Sequence, residues 1–136
     1  MGVAATVYIS QALYAPDDRD GTTLLERGQN GFAVLGEAYG RIKIRGENEF
    51  RFFRQTYDNP YINKNDGRMV PNTFEGYTFR GMVGDEKSTG SLIYVAGYVS
   101  KIKERNQDRF VWMSEDAGAD VKRGTIMGGA LYTRGP

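Results

Sequence analysis

The chain has 136 residues, the length of one ordinary domain, and its 18 Lys plus Arg against 17 Asp plus Glu give no electrostatic ground for binding nucleic acid. Cys and His are both absent, which removes thiolate and imidazole chemistry and the usual zinc sites, so neither cofactor nor metal is expected. No window reaches the roughly eighteen unbroken apolar residues of a transmembrane helix, and Met1 to Ser10 lacks the basic start and apolar run of a signal peptide. That test is blind to transmembrane β-strands, which need only about ten residues of alternating polarity.

With 18 Gly, nine Tyr and seven Phe, the composition favours strands and turns. A first strand is expected over Val3 to Tyr14, followed by the long connection "APDDRDGTTLLERGQN". "GFAVLGEAYGRIKIR", Gly31 to Arg45, is the clearest strand. Phe32, Val34, Gly36, Ala38, Gly40, Ile42 and Ile44 form an apolar set, and Glu37, Arg41, Lys43 and Arg45 fall on the alternate set. A short "RGEN" turn leads to "EFRFFRQTY", with Phe50 and Phe52 on one face and Glu49, Arg51 and Gln55 on the other. Arg54 breaks this pattern, through a bulge or because the strand has left the apolar zone.

The passage Asp58 to Asn72 is a second long connection. "TFEGYTFRGMV", Thr73 to Val83, places Tyr77, Phe79 and Val83 opposite Thr78 and Arg80. The turn "GDEKSTG" enters the weakly alternating "SLIYVAGYVSKIK", Ser91 to Lys103. A third long connection, Glu104 to Arg123, precedes a last strand, Gly124 to Thr133. The count is about six strands and no helix.

Long and short connections therefore alternate. In an antiparallel meander this puts the long loops at one end and the short turns at the other, the asymmetry of bacterial outer-membrane barrels. Loops beyond about 12–15 residues are uncommon in soluble domains unless functional. The strand count alone favours a soluble β-barrel or sandwich that binds a small ligand in its core, since about six strands are too few to close a transmembrane barrel and an amphipathic strand also suits an ordinary core. The side of the Phe32–Ile44 strand that protein buries separates the two. An enzyme using Asp66 or Glu75 as a general base has only generic carboxylates in its favour.

"FFRQTYDNPYINKNDGRMVPNTFEGYTF", Phe52 to Phe79, resembles the OprD-type substrate-specific outer-membrane porins of Gram-negative bacteria. The matching elements are Arg54-Gln55, Pro60-Tyr61, Asn65-Asp66-Gly67-Arg68-Met69 and Pro71-Asn72-Thr73-Phe74-Glu75-Gly76. "YVSKIKERNQDRFVWMSEDAG", Tyr98 to Gly118, is similar to the strand and loop that follow in that family. The resemblance implies an all-β, antiparallel transmembrane barrel of about eighteen strands, monomeric, with inward-folded loops and a ladder of basic side chains for carboxylate-bearing solutes. It also implies outer-membrane lipid and lipopolysaccharide as surroundings. The chain departs from the pattern by lacking a secretion signal, by having about a third of the strands, and by ending on "YTRGP". A single partial barrel domain over residues 1–136 is therefore expected.

Under that reading Glu37, Arg41, Lys43, Arg51 and Arg80 face the lumen, and Lys101 and Lys103 extend the row. Cations along a narrow low-dielectric passage concentrate anions without trapping them at one site. Each of these residues is equally explained as a solvated side chain opposite a core. Asp66, Arg68 and Glu75 belong to the expected constriction loop, where the planar fork of Arg68 would pair with a carboxylate and Asp66 or Glu75 would steady it or meet an amine. An ordinary Asp-Gly turn, with Arg68 tying the loop to the wall, accounts for the same residues. Lys101, Lys103, Arg105 and Arg109 suit either the ladder, the lipopolysaccharide surface or a solvated loop. Trp112, Tyr14, Tyr57, Tyr98 and Tyr132 suit an interfacial aromatic girdle.

Overall fold

The structure, a computed structural model, describes residues 1–19, 21, 23–59, 62–65, 67, 69–85 and 90–134. Its strands are β1 (Gly2–Ser10), β2 (Phe32–Ile44), β3 (Asn48–Gln55), β4 (Thr73–Asp85), β5 (Gly90–Lys103), β6 (Val111–Trp112) and β7 (Thr125–Thr133). One helical turn, α1 (Met113–Asp116), and a 3-10 turn at Asp17–Arg19 are the helical elements among the described residues. The strands form one antiparallel sheet in the order β1-β2-β3-β4-β5, with β6 and β7 both paired to β5. The expected six strands are present, though the first ends at Ser10 rather than at Tyr14. The seventh, two-residue β6, lies inside the third long connection, where Val111 pairs with Ile102 and Trp112 with Lys101. Among the described residues β1 does not pair with β7, so the sheet is open.

The two faces differ in chemistry. On one, the alternate residues Val3, Val7 and Ile9 of β1, Ile42 and Ile44 of β2, Phe50 and Phe52 of β3, Tyr77 and Phe79 of β4, Tyr94 and Tyr98 of β5 and Ile126 of β7 carry no charge. Several stand well out of the protein: Val7 is 59% exposed and Ile126 83%. Ring pairs Phe50–Phe52, Tyr77–Tyr98 and Phe79–Tyr94, with centroids 5.7–6.0 Å apart, tile this face. The two cross-strand pairs, Tyr77–Tyr98 and Phe79–Tyr94, add to pairing strength. Gly40 fits here because a Cβ would meet the Phe52 ring.

The opposite face carries the charges over β2 to β4 and is the one on which the loops pack; over β5 and β7 it is apolar, and Ile93 and Leu131 stand exposed there. Tyr57, Ile62, Phe74, Val99, Ile102 and Met127 form a buried cluster joining the connection between β3 and β4 to the sheet. Asn59 Nδ2 donates to the Met127 sulfur at 3.6 Å. A second cluster sets Val70 of the same connection and Phe110 of the next against Phe32, Val34 and Tyr8.

The expected single apolar face of Phe32 to Ile44 is corrected by a bulge. Thr6 pairs with Glu37 and Val7 with Leu35, leaving Gly36 without a partner on β1. An extra residue reverses the alternation. Phe32 and Val34 therefore share the loop-covered face with Glu37, Arg41 and Lys43, while Leu35 joins Ile42 and Ile44 on the uncharged face. Gly36 is required because a Cβ would lie 2.3 Å from the Tyr8 ring. A second irregularity, where Gly76 pairs with Val99 but Glu75 with Lys101, leaves Ser100 unpaired, and its hydroxyl donates to the Glu75 carbonyl at 2.9 Å. No bulge accounts for Arg54: pairing runs through it without a shift, to Ala38 on one side and Glu75 on the other, although Phe53 before it has φ 83, a conformation unfavourable to a bulky residue.

Candidate functional site

Register brings four of the expected cations together on the loop-covered face. Arg41 of β2 lies opposite Arg51 of β3, and Arg51 opposite Thr78 of β4. One row nearer the short turns, Lys43, Glu49 and Arg80 stand side by side on the same three strands. Glu49 is the counter-ion of this group. Its Oε1 accepts from Arg51 Nε at 2.5 Å and pairs with Arg80 Nη2 at 3.0 Å, and its side chain is only 8% exposed. Arg51 also lies with its guanidinium carbon 5.3 Å from the centre of the Tyr39 ring, a contact that holds a cation by the ring quadrupole. Arg41 and Lys43 are exposed and have no carboxylate in ion-pair range among the described residues. Four cations face Glu49 in these two rows and Glu47 in the adjoining turn, which leaves this patch positive.

Toward the long loops the same strands carry a different group. Glu37 accepts from the Thr6 and Thr56 hydroxyls, both at 3.0 Å, so its carboxylate is engaged in joining β1 to the end of β3. Glu75 is the centre of an ion cluster, paired with Arg54 Nε at 2.9 Å and Lys101 Nζ at 3.1 Å. Arg54 stacks 4.2 Å from the Phe110 ring centre and donates to the Leu35 carbonyl at 3.1 Å, while Lys101 lies 5.6 Å from the Trp112 ring. Two cation–aromatic contacts thus clip the connection after β5 to the sheet, and both cations share one carboxylate.

The remaining expected residues are placed apart from the row. Lys103 is fully buried, and its ammonium donates to the Glu104 carbonyl at 2.8 Å and the Pro71 carbonyl at 3.3 Å. It joins the end of β5 to the end of the β3–β4 connection, and Asn72 Oδ1 accepts from the Arg105 amide at 2.8 Å beside it. Asp66 and Arg68 lie outside the described residues. Tyr57, expected in a girdle, is 7% exposed and packs on Phe74 with ring centres 5.5 Å apart. Burial pushes its hydroxyl pKa up to about 12.

The sequence assigned no site role to Glu49, Arg54 or Phe110: Glu49 stood only on a polar strand face, and Arg54 only as a break in alternation and part of the Arg54-Gln55 match. The Glu49-x-Arg51 spacing on one strand face was the available signal for the first; the Arg80 contact needed the β3–β4 register. Among the described residues no group of three or more Asp, Glu, His or Cys could hold a metal ion. Nor is any helix there long and apolar enough to cross a membrane, which leaves a strand-built crossing untouched.

No curated protein and no solved structure matches the chain. The family model described as outer membrane porin, OprD family, matches residues 1–133. That span takes in all seven strands, the cation row and the loops packed on it. The chain therefore belongs to the OprD family of outer membrane porins, channels rather than enzymes, which reside in the outer membrane of Gram-negative bacteria.

Proposed function

We propose that this sheet is one arc of the wall of a larger barrel, of about eighteen strands, through which small carboxylate-bearing solutes diffuse down their gradient. The observation that carries this reading is the division of the sheet into an uncharged, exposed, aromatic-rich face and a charged face on which the long connections pack. The first suits hydrocarbon, where a charged side chain would be costly, and the second suits water. Arg41, Lys43, Arg51 and Arg80 form the basic row, attracting anions by their summed field.

The connection between β3 and β4 serves as the constriction. Its packing through Tyr57, Ile62 and Val70 supports a loop lying over the charged face. Arg68 and Asp66 keep the solute-contacting role that the family resemblance implies. Glu75 and Lys101 instead hold the following connection in place, and Lys103 clamps the loop end, so neither lysine belongs to the row in this reading. Lipopolysaccharide contacts fall to the exposed loop tips, and the barrel is a monomer.

Planar-bilayer conductance of the reconstituted porin tests the reading. A preference for small organic anions in the parent, reduced when Arg41 and Lys43 are both changed to Gln, is the expected result. Equal permeation of anions through both proteins would remove the basic row from the account.

A further inference from the structure

The cation row has a feature that attraction alone does not explain. Two arginines from adjacent strands converge on the same oxygen of Glu49. Paired guanidiniums with no carboxylate between them would grip a solute carboxylate through several charge-assisted hydrogen bonds and release it slowly. Glu49 already occupies that position, held by its place in β3 between Lys43 and Arg80. The Arg80 side chain is 57% exposed, so much of its guanidinium is open to the solvent side while one nitrogen is on Glu49. Arg41, directly opposite Arg51, is free to hand an anion across.

We propose that Glu49 is a resident competitor for solute carboxylates. A passing carboxylate exchanges with Glu49 on Arg51 and Arg80, and the return of Glu49 expels it toward the next cation. This rests on the porin reading above and deepens it by assigning a specificity-determining residue. Glu49 thereby sets the residence time, and tempers the anion preference, of a passage whose attraction comes from its neighbours. The exchange moves no proton and breaks no covalent bond.

The test is single-channel recording of the reconstituted porin with succinate as probe, beside reversal potentials in a potassium chloride gradient. In Glu49→Gln the two arginines lose their internal carboxylate. Succinate dwell time should lengthen about tenfold, because no internal carboxylate returns to replace succinate on the charge-assisted hydrogen bonds of the two arginines, and the reversal potential should move toward anion selectivity. Both effects should shrink as salt is raised. Arg80→Gln removes the more exposed arginine and leaves Glu49 on Arg51, so it should shorten dwell time and lower anion preference. It also serves if Glu49→Gln does not assemble. Variants that conduct like the parent, with unchanged dwell time and reversal potential, would overturn the inference while leaving the porin reading intact. A parent protein that forms no channel would overturn the porin reading itself.

Discussion

Replacing Glu75 by Gln should destabilise the folded porin by about 2–3 kcal/mol. Glu75 pairs with Arg54 and Lys101 at 2.9 and 3.1 Å, and the three side chains are 12%, 24% and 32% exposed in that order. A fully exposed ion pair contributes roughly 0–1 kcal/mol, whereas removing one partner of a buried pair costs about 3–5. Partial exposure puts this site between those limits. The amide keeps the shape but leaves two cations sharing a neutral acceptor, and the Arg54–Phe110 contact at 4.2 Å loosens with them. The assay is urea unfolding of the reconstituted porin, with the folded fraction read from its altered gel mobility. Lys101→Met in the Glu75→Gln background should recover part of the loss, because one unpaired cation is removed. A Glu75→Gln midpoint equivalent to less than about 0.5 kcal/mol of change would refute the idea that this cluster holds the connection after β5.

Gly76→Ala should block assembly or cost more than about 3 kcal/mol, since a Cβ there would lie 2.3 Å from the Tyr98 carbonyl oxygen and 2.9 Å from the Val99 Cα, backbone that cannot swing aside. Gly67→Ala, with no atom within 4 Å of the new Cβ, should refold with parental yield under the same conditions. Phe79→Arg, on the uncharged face, should lower stability in lipid by about 2–4 kcal/mol if it lies near the bilayer midplane. Ile93→Arg on the other face should fold and raise anion selectivity in bilayer recordings. Arg68→Ala should cut permeation of small organic anions relative to the parent, measured as solute flux into liposomes.

Much of the sheet was legible because period-two alternation and connection length are local properties. Strands β2, β3 and β4 show their polar set in sequence, and the register only had to place Arg41, Arg51 and Arg80 on one face. The Gly36 bulge was not legible, because a glycine on an apolar set reads the same with or without a partner opposite it. What fixes the bulge is the Tyr8 ring lying over Gly36, a contact made across strands. The weak alternation of β5 also has a cause in the third dimension. On the face it shares with the cation row it carries Ile93, Val95 and Gly97 against Leu131, Gly129 and Met127 of β7, so both faces of that edge are apolar. Lys103 looked like the next cation of a row because its partners are backbone carbonyls, which no residue type announces. Glu75 was expected in the constriction loop but lies in β4, and its two cations come from β3 and β5, so only pairing brings them within reach.

In the proposed reading the charged face lines water and the uncharged face meets lipid. The sequence contains no Cys, so single cysteines can be placed along β2 without background. Reaction of each with a charged, water-soluble thiol reagent, followed as loss of single-channel current, separates the two faces. Arg41→Cys and Lys43→Cys should react and reduce the current, Ile42→Cys and Ile44→Cys should stay inert, and Leu35→Cys should behave like the isoleucines because the Gly36 bulge puts it on their face. Reaction of the Ile42 and Ile44 cysteines with protection of those at Arg41 and Lys43 would contradict the account.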